Sequence, residues 1–415
     1  GWKVGKIKYF YDIVLGKMLC PEQKNVSETY EYYLCAQNIT ENGLNLTVLK
    51  KMWFSPYEKS IYRIDKGDIL VVEGGNAGLC AIYNNEISPC YIQNALHKAK
   101  SKGEHINKFL FYWMKFVEKS TYINQIVNKA TISHYTKDKF GNTPLAFPLP
   151  YEQQRIADYL DAKCAHIDQC LELTRQSMEK LRAYKLSCIT EAVTKGLDPD
   201  VPLKDSGVPW IGQIPVGWEI SKLKTFASML TPMRDKPEYL DGEIPWIRIE
   251  DFSGKYIKES KEGLGVSKET IKKMNLKVYP VGTILCTSSC ELGKCAITSV
   301  ELVSNQRFIG IIPSKECHTD FLYYNLLVSA ERLQFLSTGT IQANLSRISF
   351  EHLQLQFPPL PEQERIAAYL DKKCARIDAL LEEKQALLDK LAEYKKSLIF
   401  ECVTGKREVP SCWNR

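Results

Sequence analysis

The chain has 415 residues, 44% of them hydrophobic and 25% charged, with a mean hydropathy of −0.26 and a net charge of +6. That length exceeds one ordinary core and predicts two folding units with connecting elements, and the composition excludes a disordered tail. No apolar run approaches the roughly 18 residues of a membrane span, and the opening GWKVGKIKYF lacks a signal-peptide stretch, so a cytoplasmic chain is expected.

In chain order, residues 1–146 read as a first α+β domain. The apolar stretch GDILVV (Gly67 to Val72) predicts a strand, the loop Glu73 to Asn76 interrupts it, and INKFLFYWMKFVEK predicts a helix. The lysine-rich stretch HKAKSKGEHINK (His97 to Lys108) reads as exposed surface. Residues 147–196 predict a helix: no glycine or proline occurs from Glu152 to about Val193, Pro150 stands outside, and Gly196 with Pro199 closes the run. About forty residues at 1.5 Å each give about 60 Å. Leu160, Ile167, Thr174, Leu181 and Cys188 recur every seven, with Cys164, Leu171 and Met178 beside them, a coiled-coil seam.

Residues 197–216 form a linker, and residues 217–356 read as a second α+β domain. Its strand FIGIIP (Phe308 to Pro313) is followed by the helical stretch TDFLYYNLLVSAERLQFL; a glycine-bearing loop runs from Ser288 to Gly293, and SKETIKKMNLK (Ser267 to Lys277) is again lysine-rich surface. Residues 357–405 repeat the long helix, with Leu370, Ile377, Lys384, Leu391 and Leu398 on one row and Cys374, Leu381 and Leu388 on the other; residues 406–415 are a tail. Thr174 and Lys384 are polar positions at equivalent places in the two seams and are expected to fix register.

The two halves are one unit written twice. FPLPYEQQRIADYLDAKCAHID from Phe147 returns as FPPLPEQERIAAYLDKKCARID from Phe357, and Tyr184-Lys185 returns as Tyr394-Lys395. Weaker echoes precede these: GWKVGKIKYF against GWEISKLKTF, and GLCAI (Gly78 to Ile82) against GKCAI (Gly293 to Ile297). Two such helices in one chain, related by a pseudo-twofold repeat, are expected to pack antiparallel on each other. The second half carries VPLKDSGVPWIGQIPV before Gly217 with no counterpart before Gly1, so a preceding segment is expected in the natural protein.

Catalytic signatures are missing. The chain has no GxxxxGK[ST], no GxGxxG opening a helix, no NPPF or DPPY, and no GxSxG or HExxH, and the single Pro-Asp (Pro199-Asp200) lies in the linker. None of the 14 cysteines forms a CxxC pair, and the nearest cluster, Cys286, Cys290 and Cys295, has no matching histidine. No metal and no catalytic residue are expected, and the thiols should be reduced and mostly buried. Residue types that read base edges are Arg, Asn and Gln. At loop-like positions these are Arg63, Asn76, Gln93 and Asn94 in the first domain and Arg248, Arg307, Gln342, Asn344 and Arg347 in the second. Such residues also serve as ordinary turn and cap formers.

The stretch P-x-EQ-x-RIA-x-YLD, at Glu152 to Asp161 and Glu362 to Asp371, together with DSGVPWIGQIPVGWE at Asp205 to Glu219, resembles the specificity subunits of type I restriction-modification enzymes. The resemblance implies two target-recognition domains separated by two long helices packed as an antiparallel coiled coil. It implies sequence-specific binding of double-stranded DNA without catalysis by this chain. Two modification (methyltransferase) subunits and ATP-dependent restriction subunits are the implied partners, and S-adenosylmethionine, ATP and Mg would sit on them. Two further readings stay open from sequence: a related restriction system with a fused methyltransferase-nuclease partner, and a coiled-coil scaffold that binds proteins alone.

Overall fold

The computed structural model of the chain describes residues 2–126, 134–232, 236–289, 292–330, 332–333 and 345–410. The chain divides into two compact units, residues 1–175 with 385–415, and residues 176–384. Each unit thus holds one α+β domain and part of each long helix, the divisions falling inside the helices rather than at their ends.

In the first unit a four-stranded antiparallel sheet runs in the order Tyr11–Leu15, Leu96–Ser101, Ile69–Val72, Cys80–Ile82. A three-stranded sheet, with Thr29–Leu34 at its centre, has Lys50–Phe54 on one side and Tyr91–Ile92, running parallel, on the other. The second unit repeats this plan. Ala227–Leu230, Phe308–Pro313, Ile284–Thr287 and Cys295–Thr298 follow in the same order, with Tyr256–Ile257 added at the edge. Ile244–Ile247 lies between Gly265–Val266 and a parallel Val303–Ser304. GDILVV and FIGIIP therefore form strands as expected, and their runs of buried residues follow from packing on both faces.

One expectation is corrected in part here. Lys100, Lys102 and Lys108 of the stretch from His97 are exposed, but Leu96–Ser101 is an inner strand, hydrogen-bonded on both sides. Its alternation explains both readings, since His97 and Ala99 are buried while Lys98 and Lys100 point the other way. Lys98 is itself engaged, its Nζ donating to the carbonyls of Ile61 and Arg63 at the end of the Pro56–Tyr62 helix, and burial lowers its pKa. The other lysine-rich stretch does form surface, as the exposed Lys268, Lys272 and Lys273 of the Lys268–Met274 helix.

The two long helices are Pro150–Lys195 and Leu360–Val403. Pro150 lies inside the first, not before it, because a proline in the opening turn lacks only an N–H that has no helical partner there. Gly196 and Gly405, both at positive φ, close the helices. Within the first unit, Leu160, Cys164, Ile167 and Leu171 are buried in one cluster with Leu398 and Cys402, with Leu388 and Leu391 packed against it. Within the second, Leu370 and Cys374 share a cluster with Ile189, Ala192 and Val193. Thr174, Met178 and Ile377 are buried, and Leu181, Cys188, Leu381 and Lys384 are half-buried.

The helices run antiparallel in each unit. Lys395 donates to Asp168 (2.6 and 2.7 Å) in the first, and Lys185 donates to Asp378 (2.6 and 2.7 Å) in the second. These lysines continue the Cys164–Leu171–Met178 and Cys374–Leu381–Leu388 rows. Unlike charges across the seam give each register a distinct partner. Thr174, expected to serve that purpose, instead returns its hydroxyl to Cys170 O (2.7 Å) on its own helix.

Among the described cysteines nine are buried and all twelve are free thiols. Burial pushes Cys80 and Cys317 up to about 12, and Cys164 and Cys402 up to about 11. Cys170 is the one fully exposed thiol among them. With a thiol reagent at pH 8 and peptide mapping, Cys170 should be labelled first of the described cysteines, and Cys80 and Cys317 only after unfolding. Labelling of Cys80 at the rate of Cys170 would contradict the packing.

Candidate nucleic-acid interface

The same polar turn occurs once in each domain, at the entry to an inner strand. In the first domain the short strand Tyr91–Ile92 leads through Gln93, Asn94 and Ala95 into Leu96–Ser101. The turn is pinned from several sides. Gln93 N–H donates to Leu34 O (2.9 Å), Asn94 N–H to Lys17 O (2.7 Å), and Leu96 N–H to Gln93 O (3.1 Å). Asn94 Oδ1 accepts from Ala95 N–H at 2.6 Å, and Ala95 sits at φ +82°. Glu73 N–H donates to Ala95 O (2.9 Å), which sets the loop carrying Asn76 beside the turn. Arg63 pairs with Tyr91 through a backbone bridge, and its guanidinium meets Asp65 at 3.4 Å. Gln93 and Asn94 thus form the turn, Arg63 is bridged to the strand that leads into it, and Asn76 follows three residues after the loop's contact with it.

The second domain builds the counterpart from Asn305, Gln306 and Arg307, between Val303–Ser304 and Phe308–Pro313. Asn305 Oδ1 accepts from Arg307 N–H (3.0 Å), and Ser288 N–H donates to Arg307 O (2.8 Å), tying in the start of the 288–293 loop. Arg248 follows the Ile244–Ile247 strand. Its N–H donates to Asp251 (2.7 Å), closing a capping box, and its guanidinium meets Glu262 at 2.8 Å. Arg248 and Arg307 line a cleft of about 320 Å³ with Lys236, Trp246, Asn305, Gln306 and one carboxylate, Glu250. Arg347 is elsewhere, opening the Arg347–Glu351 helix and paired with Glu351 at 2.6 Å. Gln342 and Asn344 lie outside the described residues.

The donor set suits nucleic acid. Arginine offers two parallel donors that match the O6 and N7 of guanine, glutamine and asparagine offer the donor and acceptor that match adenine, and lysine offers a point charge for phosphate. Lys236, Asn305 and Gln306 were missed in the sequence because loop length alone does not show which polar residues face one cleft. The correspondence of the two turns is one of topology and not of sequence offset: Asn305-Gln306-Arg307 enters the inner strand Phe308–Pro313 as Gln93-Asn94-Ala95 enters Leu96–Ser101.

A second set of side chains seats each domain on its helix. Trp2 Nε1 donates to Glu152 and Trp218 Nε1 to Glu362, both at 3.1 Å. Gln153 Oε1 accepts from Ile106 N–H (3.0 Å), and its amide donates to Pro148 O (2.9 Å). Gln363 does the same with His318 N–H (2.8 Å) and Pro358 O (2.9 Å). Asp161 accepts from Tyr112 OH (2.7 Å) and Lys108, and Asp371 from Tyr324 OH (2.6 Å) and Lys255. The Glu-Gln pair and the aspartate that closes YLD in the repeated stretch are these residues. Sequence reasoning saw the repetition but not that it marks a joint.

A family model described as the type I restriction modification DNA specificity domain matches residues 1–183 and again 215–390. The MjaVIII type I restriction enzyme specificity subunit of Methanocaldococcus jannaschii is 23% identical, over 89% of this chain and 85% of its own length. The MjaIX specificity subunit of the same organism is 32% identical over a shorter span, 39% of this chain and 38% of the relative. A chain from a structure of type I R-M complex assembly and conformational transition superposes with a TM-score of 0.75 at 15% identity, covering 97% of both chains. The HsdS subunit from Thermoanaerobacter tengcongensis gives a TM-score of 0.54 at 16% identity, over 98% of this chain and 97% of that one. Matched twice over by the family model, in the two halves that carry the repeated turn and the repeated joint, the chain belongs to the type I restriction-modification DNA specificity family.

Proposed function

We propose that the chain is the DNA-recognition subunit of a type I restriction-modification complex and reads a bipartite, asymmetric site, one half through each domain. The observation that carries this is the turn at the entry to the inner strand. It keeps its place in both domains but holds Gln93-Asn94-Ala95 in one and Asn305-Gln306-Arg307 in the other. One scaffold with two different polar faces suits two unlike half-sites. Linking two readers makes the second contact intramolecular, so that modest half-site affinities combine into tight binding.

In this reading the paired helices set the gap between half-sites and carry two modification subunits, which hold S-adenosylmethionine and methylate adenine. Restriction subunits that hydrolyse ATP with Mg join them, and the chain itself supplies no chemistry. The test is genome-wide mapping of methylated adenines in cells with and without this chain, its partner subunits present in both. A motif of two unlike half-sites with a fixed gap is expected only in its presence; a palindromic motif, or one that persists without the chain, overturns the reading. Deleting one heptad from each helix, residues 174–180 and 384–390, should change the gap while leaving both half-sites intact. The same mapping checks it, and an unchanged gap contradicts the spacer role.

A further inference from the structure

We propose that Arg307 imposes a guanine in the half-site read by the second domain, with Gln306 reading the adjoining base pair, and that the first domain has no counterpart to Arg307. This rests on the DNA-recognition reading above. Four arginines were candidates for base contact, and three of them are occupied. Arg63 meets Asp65 at 3.4 Å, Arg248 meets Glu262 at 2.8 Å, and Arg347 meets Glu351 at 2.6 Å. Arg307 is exposed and has no acidic partner among the described residues.

Its backbone, by contrast, is held on both sides. The N–H donates to Asn305 Oδ1 (3.0 Å), the carbonyl accepts from Ser288 N–H (2.8 Å), and the next residue begins the inner strand Phe308–Pro313. A fixed root with an unengaged guanidinium is what bidentate readout requires, since the fork is rigid and little else need be ordered on binding. Asn305 is committed to the turn through its Oδ1, whereas the exposed Gln306 has no side-chain partner among the described residues. Lys236, on the same cleft, supplies charge without base preference. In the first domain the equivalent place is Ala95, which has no side-chain donor.

The test uses the complex of this chain with its modification subunits, expressed as wild type, Arg307→Ala, Arg307→Lys and Gln306→Ala. Methylated adenines are mapped genome-wide, and methylation rates are compared on duplexes varied at each half-site base. The expected result is that both Arg307 variants lose discrimination at one guanine of one half-site by roughly 10- to 100-fold, with the other half-site and the gap unchanged. Gln306→Ala should relax the neighbouring position. A motif unchanged in both Arg307 variants overturns the proposal, as does a loss spread evenly over all sequences, which is the signature of a phosphate contact. Should Arg307→Ala abolish methylation altogether, Arg307→Lys decides: relaxation at one guanine supports the proposal, and an intact motif overturns it. A wild-type complex with no sequence-specific methylation overturns both this proposal and the reading beneath it, whereas a wild-type bipartite motif that survives in the variants overturns this proposal alone.

Discussion

Leu370→Ala should destabilise the second unit by about 3 kcal/mol, the usual cost of emptying a fully buried leucine site. Leu370 is 0% exposed and packs in the cluster that joins Ile366, Ala367 and Cys374 to Ile189, Ala192 and Val193 of the first long helix. The loss combines the transfer energy of the missing methyl groups with the cavity that helical backbones on both sides cannot collapse to fill. Leu380→Ala provides the contrast on the same helix: Leu380 is 40% exposed, and its removal should change stability by no more than about 0.5 kcal/mol. Urea denaturation of each variant checks the pair. Leu160→Ala, at the equivalent fully buried position of the first unit, should match Leu370→Ala in size. Equal losses for Leu370→Ala and Leu380→Ala would mean that the seam does not lie on the row beginning at Leu370.

The long helices were legible because their signal is local and repeated. A glycine-free run bounded by Gly196 and a seven-residue spacing of apolar side chains depend on no distant contact. The error at Pro150 is one of helix ends, where the first turn tolerates what the interior does not. The strand Leu96–Ser101 was misread for a different reason. Its lysines alternate with His97 and Ala99, and a period of two says that one face is buried without saying whether the strand is inner or edge. That depends on the pairing with Tyr11–Leu15 and Ile69–Val72, which lie tens of residues away in sequence.

The candidate interface was legible in residue type and not in grouping. Gln93 and Asn94 stand side by side in the chain, but Arg248 and Arg307 are brought to one cleft only because the strand before Arg248 pairs with the strand that leads to Arg307. The joint between domain and helix shows the opposite case. Glu152, Gln153 and Asp161 recur as Glu362, Gln363 and Asp371, and Trp2 as Trp218, so the sequence marks them, but the partners Ile106 and Tyr112 lie where the two halves have diverged. A recognition domain that changes its reading face must keep its footing. The repeated carboxylates and amides are that footing, which explains why they stay alike while the turns they support differ.

At the second joint the lysine of the footing bridges two carboxylates, and its removal should be costly. Lys255 is shared by Asp320 (2.6 Å) and Asp371, while Tyr256 OH donates to Asp320 (2.8 Å) and Tyr324 OH to Asp371 (2.6 Å). Lys255→Met leaves two carboxylates facing each other across a half-buried site, and we expect a loss of about 2 kcal/mol at pH 7, below the 3–5 typical of fully buried pairs because Asp371 is partly solvated. The pH dependence follows from the shifts. Burial alone would raise the Asp320 carboxyl, but the hydrogen bonds and charge of Lys255, with Tyr256, outweigh it and the pKa falls. Burial alone would lower the Lys255 ammonium, but Asp320 and Asp371 outweigh it and the pKa rises. A carboxyl lowered on folding stabilises above its unfolded value of about 3.9 and loses that contribution as pH falls through the folded value. An ammonium raised on folding stabilises below its unfolded value of about 10.4 and loses that contribution as pH rises through the folded value. Between those limits both contributions are present, so the deficit of Lys255→Met should be widest near neutral pH and narrow below about pH 4 as Asp320 protonates. Lys258→Met, at a fully solvated ion pair with Glu259, should shift stability by no more than about 0.5 kcal/mol at either pH. Thermal denaturation of both variants at pH 7 and pH 3 decides the matter: a Lys255→Met deficit equal at the two pH values would show that the lysine acts through packing of its stem and not through its charge.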